Sequence, residues 1–184
     1  MSSARKGCLL LLLLLSVAGC NGVGEDLAPS SADRRPVVEP GTTGPAVGQV
    51  APDFTLAATT GDNVSLSGLL AARRAVVLYF TMWCPVCDAH MSHMRSAVMP
   101  GYPDVAFIAV DYVSGSVADA LASQNANGYG GPGFTVAADI GQGVLHAYAA
   151  TMGTTVVVDN TGVVRMSEDY GNGSVLQATL AALP

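Results

Sequence analysis

Ala75-Val76-Val77-Leu78-Tyr79-Phe80-Thr81-Met82-Trp83-Cys84-Pro85-Val86-Cys87 sets an apolar run directly before two thiols spaced two residues apart. Ala75 to Phe80 is too apolar to alternate, so it reads as a strand buried on both faces. Beyond Cys87, the residues Met91, Met94 and Val98 recur at helical spacing until Pro100-Gly101 ends the pattern. The thiols therefore stand at a strand-to-helix junction. The first can sit at the helix start, where free N–H groups and the helix dipole favour a thiolate. The second is one turn along, close enough to attack a mixed disulfide.

Working outward, Phe54-Thr55-Leu56 and Val64-Ser65-Leu66 flank Gly61-Asp62-Asn63 and predict a short hairpin. Ser67 is the expected cap of a helical turn over Gly68 to Ala72. Downstream, Val105 to Val110 reads as a central strand, Val117 to Ser123 as a helix and Asn127 to Gly133 as a loop. A strand over Phe134 to Ala138 and a helical turn over Val144 to Ala149 follow. Thr154 to Val158 and Val163 to Met166, joined by Asp159-Asn160-Thr161-Gly162, give the clearest hairpin. Glu168-Asp169-Tyr170 reads as a solvated patch, Arg73-Arg74 as the solvated entrance to the buried strand, and Val175 to Leu183 as a last helix. This order of elements describes an α/β sandwich around a central mixed sheet.

The N-terminus accounts for the other two of the four cysteines. Arg5 and Lys6 precede an unbroken leucine run, Leu9 to Leu15, and Val17-Ala18-Gly19 supplies small residues before Cys20. That layout is a cleaved secretory leader. Its apolar stretch falls well short of the roughly 20 residues a membrane span takes. Val-Ala-Gly-Cys resembles the bacterial lipobox, which implies cleavage before a lipidated Cys20. The expected organisation is a leader over 1–19, a flexible Gly/Pro/Ser/Thr-rich tether over 20–46 and a domain over 47–184. Losing Arg5 and Lys6 moves the formal charge of −6 two units further negative and leaves no lysine. An acidic surface without basic clusters argues against nucleic acid and against electrostatic binding to anionic lipid. Only Cys84 and Cys87 remain as free thiols, in a compartment where a dithiol cycles only if a partner resets it.

Four segments carry a family resemblance. They are Gly48-Gln49-Val50-Ala51-Pro52-Asp53-Phe54-Thr55-Leu56, Gly61-Asp62-Asn63-Val64-Ser65-Leu66-Ser67, Trp83-Cys84-Pro85-Val86-Cys87 and Thr154-Thr155-Val156-Val157-Val158-Asp159. In this order they resemble the redoxin branch of the thioredoxin-like proteins, especially the membrane-tethered TlpA/ResA-type thiol–disulfide oxidoreductases. The resemblance implies a three-layer sandwich with helices on both faces of the sheet and an N-terminal hairpin extension. It implies that Cys84 attacks and Cys87 resolves, with Trp83, Pro85, Val86, Gly153 and Thr154 around them. It implies protein dithiol or disulfide substrates, a membrane redox partner, a monomer and no organic cofactor. The implied address is extracytoplasmic, facing the periplasm in a diderm.

Two positions depart from that family. Gly153 stands where a cis-proline is expected, which predicts a trans peptide, a reshaped substrate edge and sulfurs more open to a metal. Leu78 stands six residues before Cys84, where a buried polar side chain is expected, so a proton acceptor for the resolving thiol is missing from its usual place. Two other chemistries stay open. Cys84, Cys87, His90 and Met91 are candidate soft-metal or copper ligands on one helix. Thr81-Met82-Trp83-Cys84 matches half of a peroxiredoxin motif, without its proline at Val77 and without an arginine near Gly153 to Thr155.

Overall fold

The computed structural model describes residues 38–129 and 133–183. Strand β3, Ala75–Thr81, is the axis of the sheet, and all seven of its residues are buried. It pairs in parallel with β4 (Val105–Asp111), bringing Thr81 opposite Asp111, and antiparallel with β6 (Thr154–Asp159), bringing Tyr79 opposite Thr155. The sheet is completed by β1 (Thr55–Ala58), β2 (Asn63–Ser65), β5 (Thr135–Ala138) and β7 (Val164–Asp169), in the order β2-β1-β5-β4-β3-β6-β7. It is mixed, with β1 and β2 as the predicted hairpin at one edge.

Period-two alternation along β3 creates two cores. Ala75, Val77 and Tyr79 face helix α2 (Pro85–His93), its continuation through Met94–Val98, and helix α5 (Ser174–Ala182), where they meet Cys87, Met91, Met94, Leu176 and Leu180. Val76, Leu78 and Phe80 face the other way, against α1 (Leu66–Leu70) and α4 (Gly143–Ala147), where Leu66, Val144 and Tyr148 pack. Helix α3 (Val117–Ala126) buries Ala120 and Gln124. The result is the three-layer α/β sandwich that the alternating elements and the resemblance describe.

The predicted stripe Cys87, Met91, Met94, Val98 is buried throughout. The helix does not stay regular: from Met94 to Val98 it widens into a π turn, and Met99–Gly101 tightens into a 3₁₀ turn. Within this segment the Ser96 hydroxyl donates back to the Ser92 and His93 carbonyls, a competing bond that loosens a helical ladder.

Several local expectations are corrected. The cap of α1 is Ser65, whose hydroxyl accepts from the Gly68 N–H, and Ser67 lies inside the helix with its N–H donating to Asp53 Oδ1. Tyr170 does not belong to a solvated patch. Glu168 and Asp169 are exposed, but Tyr170 turns inward and is 2% exposed. Burying a ring of that size contributes about 1.5–3 kcal/mol, and its hydroxyl is satisfied by His93 Nδ1 at 2.7 Å. Arg74 is only half exposed; it pairs with Asp104 at 2.7 Å and donates to the Leu180 and Leu183 carbonyls at the end of α5. Residues between Gly41 and Ala46, assigned to the tether, already bond to Gly48–Val50, and Gln49 bridges Thr42 and Ala46. The leader, Cys20, most of the tether and the glycines at 130 and 131 lie outside the described residues.

Candidate active site

The site forms at the carboxyl ends of β3 and β4, where the chain leaves Thr81 and turns into α2. Trp83 makes the turn with φ of +60°. For a residue with a Cβ this conformation costs about 1–2 kcal/mol, so it needs clamps. Two are present: the Trp83 N–H donates to Thr81 Oγ1 at 3.1 Å, and its indole Nε1–H donates to Asp111 Oδ2 at 2.8 Å. The indole also lies 6.3 Å from the Tyr129 ring, which in turn carries the Arg95 guanidinium at 4.7 Å.

Asp111 is fully buried, and besides the indole it accepts the Val113 and Ser114 N–H groups and the Ser114 hydroxyl. Sequence reading missed it, since a lone acid closing an apolar strand carries no signal of a partner 28 positions earlier. Asp111→Ala removes the shared acceptor of three nitrogen donors. We expect it to lower unfolding stability by about 2–4 kcal/mol and to slow disulfide exchange as Trp83 leaves its turn. Urea denaturation with a parallel exchange assay checks both effects, and unchanged values in both would refute the clamp.

Released from the turn, the chain places Cys84 at the cap of α2, with Pro85 in the first turn, where a missing N–H costs nothing. Cys84 Sγ accepts the Cys87 N–H at 3.2 Å and stands 2.7 Å from Cys87 Sγ. Both cysteines are free thiols, but they are not equivalent. Cys84 is half-buried and Cys87 is fully buried. Burial by itself would push the Cys87 thiol up. The Cys84 sulfhydryl, the Met82 and Cys84 backbone donors and the Thr81 hydroxyl outweigh it, and hold Cys87 below the ordinary thiol value. Met82, just before the pair along the chain, and Val86, within it, are each close to half exposed.

The polar group beneath Cys87 is Tyr79. The family position, Leu78, points into the opposite core, whereas Tyr79 shares the face of Cys87. Burial, then the neighbouring Cys87 sulfur and a hydrogen bond to it, push the Tyr79 phenol far above its usual range. The Tyr79 oxygen also lies 3.1 Å from His90 Nδ1. His90 packs on the Tyr170 ring at 4.8 Å between centroids, and burial pushes the Tyr170 phenol up to about 12. Gly153, with φ of +84°, stands next to His90; it donates to the Phe80 carbonyl and accepts from the Tyr170 N–H, each at 3.0 Å. All peptide bonds of the described residues are trans, as expected for Gly153.

The alternative metal set is not brought together. Met91 is fully buried in the core, and His90 is turned to Tyr79. Among the described residues no group of three or more His, Cys, Asp or Glu is arranged to hold a metal ion. The described arginines are engaged elsewhere: Arg73 with the Pro103 carbonyl, Arg74 with Asp104, Arg95 with the Gly128 carbonyl and Arg165 with Asp159.

A thioredoxin-like sheet that holds a Cys-x-x-Cys pair at a helix cap defines a redoxin-type thiol–disulfide oxidoreductase. The chain belongs to the AhpC/TSA family, whose model matches residues 47–167. No curated protein matches it. Among solved structures it is similar to a Chlorobium tepidum protein assigned as the thiol:disulfide interchange protein DsbE (27% identity, TM-score 0.59, covering 76% of this chain and 99% of that one). It is also similar to a Bacteroides thetaiotaomicron protein assigned as a disulfide isomerase (25% identity, TM-score 0.63, 75% and 89% covered). The peroxidoxin BcpB from Mycobacterium tuberculosis shares the fold (22% identity, TM-score 0.58, 75% and 97% covered).

Proposed function

We propose that this redoxin is a lipid-anchored, extracytoplasmic protein that exchanges its Cys84/Cys87 disulfide with polypeptide substrates. The observation that carries the reading is the inequality of two adjacent sulfurs, one reachable at a helix cap and one sealed behind it. The Cys84 thiolate attacks a substrate disulfide. A bond forms from Cys84 to one substrate sulfur, and the other substrate sulfur leaves as a thiolate. Cys87 then attacks Cys84 Sγ, closing the internal disulfide and expelling the second substrate thiolate. A membrane-bound dithiol partner returns the pair to its reduced form, and the reverse sequence serves an oxidase. The exposed apolar side chains of Met82 and Val86 beside the pair suit an extended, partly unfolded partner.

Lipid attachment rests on the leader and on Cys20. Among the described residues no helix is long and apolar enough to cross a membrane. Replacing Cys20 with alanine should abolish incorporation of labelled fatty acid. Peroxide reduction is the less favoured chemistry for this family member, because the hydrogen bonds of Arg73, Arg74, Arg95 and Arg165 go to groups other than the sulfurs. A peroxide transition state calls for oriented donors around the attacking atom.

The deciding experiment is capture. Cys87→Ser, expressed in cells, should accumulate covalent adducts that dithiothreitol releases and that the Cys84→Ser/Cys87→Ser double variant lacks. A Cys87→Ser protein that traps no polypeptide, beside a wild type that turns over hydrogen peroxide rapidly, would replace exchange with peroxidase chemistry.

A further inference from the structure

Resolution of a mixed disulfide requires the Cys87 thiol to lose its proton at a fully buried sulfur that bulk water does not reach. We propose that Tyr79 and His90 are the route by which it leaves. As Cys87 Sγ attacks Cys84 Sγ, the Cys87 proton passes to the Tyr79 oxygen and the Tyr79 hydroxyl proton passes to His90 Nδ1. The Cys84–Cys87 bond forms, the Cys84–substrate bond breaks, and the substrate sulfur carries the electron pair away as thiolate. The only other product is the proton, held on His90. This route rests on the assignment of Cys84 as attacker and Cys87 as resolver.

Tyr79 is fully buried on the face of β3 that packs against α2, in the same core cluster as Cys87, and its oxygen is 3.1 Å from His90 Nδ1. His90 is half-buried on α2, so a proton received inside can be handed to solvent. The Tyr170 ring holds the imidazole from one side, and His93 occupies the Tyr170 hydroxyl, leaving His90 to Tyr79. Gly153 leaves the space open: a Cβ there would lie 3.8 Å from His90 Nδ1 and 3.1 Å from Asp169 Oδ1.

The charges around His90 come from three elements. Tyr79 faces it from β3, Cys87 and His93 share its helix, and Asp169 and Tyr170 approach from the end of β7. Burial lowers the imidazole pKa below its ordinary value, the Asp169 charge opposes that, and His93 adds to it. The net direction keeps Nδ1 free to accept a proton at neutral pH, with Asp169 placed to favour the imidazolium once formed. Acceptor capacity is therefore present above the lowered His90 value and is lost as pH falls through it.

The test is a single-turnover reaction of the reduced full chain with dithiobis(nitrobenzoate), with the Cys84→Ser/Cys87→Ser double variant subtracted as background. The first burst of nitrothiobenzoate reports attack by Cys84, and the second reports resolution by Cys87. In the wild type the second phase should slow as pH falls through the lowered His90 value, on the acid side of an ordinary imidazole. His90→Gln keeps an acceptor for the Tyr79 hydroxyl but cannot take its proton. It should leave the first phase intact, slow the second by roughly 10²-fold and remove the inflection. Tyr79→Phe should do the same. A His90→Gln protein whose second phase keeps the wild-type rate and inflection would overturn the route while leaving exchange standing. A wild type with no first phase above background would overturn the exchange reading, and the route with it.

Discussion

Cys84→Ser is expected to lower disulfide exchange by roughly 10³-fold or more, into the uncatalysed background. The reason lies in access rather than in sulfur chemistry, since the variant still contains Cys87. That thiol has no exposed surface, lies behind the α2 cap and packs among Tyr79, Met91 and Met94. A substrate disulfide cannot reach it without opening the helix start. Hence the two serine variants should fail differently: loss of Cys84 leaves nothing to attack with, whereas loss of Cys87 leaves an attacker that cannot let go. An insulin-reduction assay, with mass spectrometry for adducts, separates the two. Exchange through Cys87 alone at a comparable rate would show that the sulfurs are interchangeable and would remove the basis for assigning roles.

The second large effect concerns Gly153. Proline, the residue that the family resemblance leads one to expect there, should destabilise this chain by about 3 kcal/mol or more. Its ring holds φ near −65°, whereas the native value is +84°. It also removes the N–H that donates to the Phe80 carbonyl, and its Cβ would press on Asp169 Oδ1 at 3.1 Å. Gly153→Ala keeps the N–H but meets the left-handed penalty of about 1–2 kcal/mol together with the same contact, so it should fall between. Urea midpoints ordered glycine, alanine, proline check the argument. A proline variant as stable as the wild type would mean that the segment before β6 can adopt a different path.

The sheet and the cysteine pair were legible because their signals are local and dense. Ala75 to Phe80 offers no polar residue able to stay wet except the Tyr79 hydroxyl, and the spacing of Met91, Met94 and Val98 fits one helix face. Asp159, Thr161 and Gly162 supply turn chemistry within a few residues, and in the structure Asp159 accepts from Thr161 and Val163. The surroundings of the pair were less legible. Tyr79 was overlooked because family register directed attention to Leu78, although alternation along a strand already puts 75, 77 and 79 on one side. Tyr170 and Asp111 owe their burial to partners 77 and 28 residues away, His93 and Trp83. No window of sequence contains both ends of either contact. Gly153 was singled out, but its left-handed backbone follows from bonds to Phe80 and Tyr170 that form only when the sheet does.

Trp83 is the chain's single tryptophan, and its ring is pinned next to the sulfurs by Asp111 and Tyr129. The molecule thus carries its own optical gauge: indole emission comes from one place, and that place is where electrons are exchanged. Midpoint voltage, redox cycling and partner engagement can all be followed by light from the unlabelled protein.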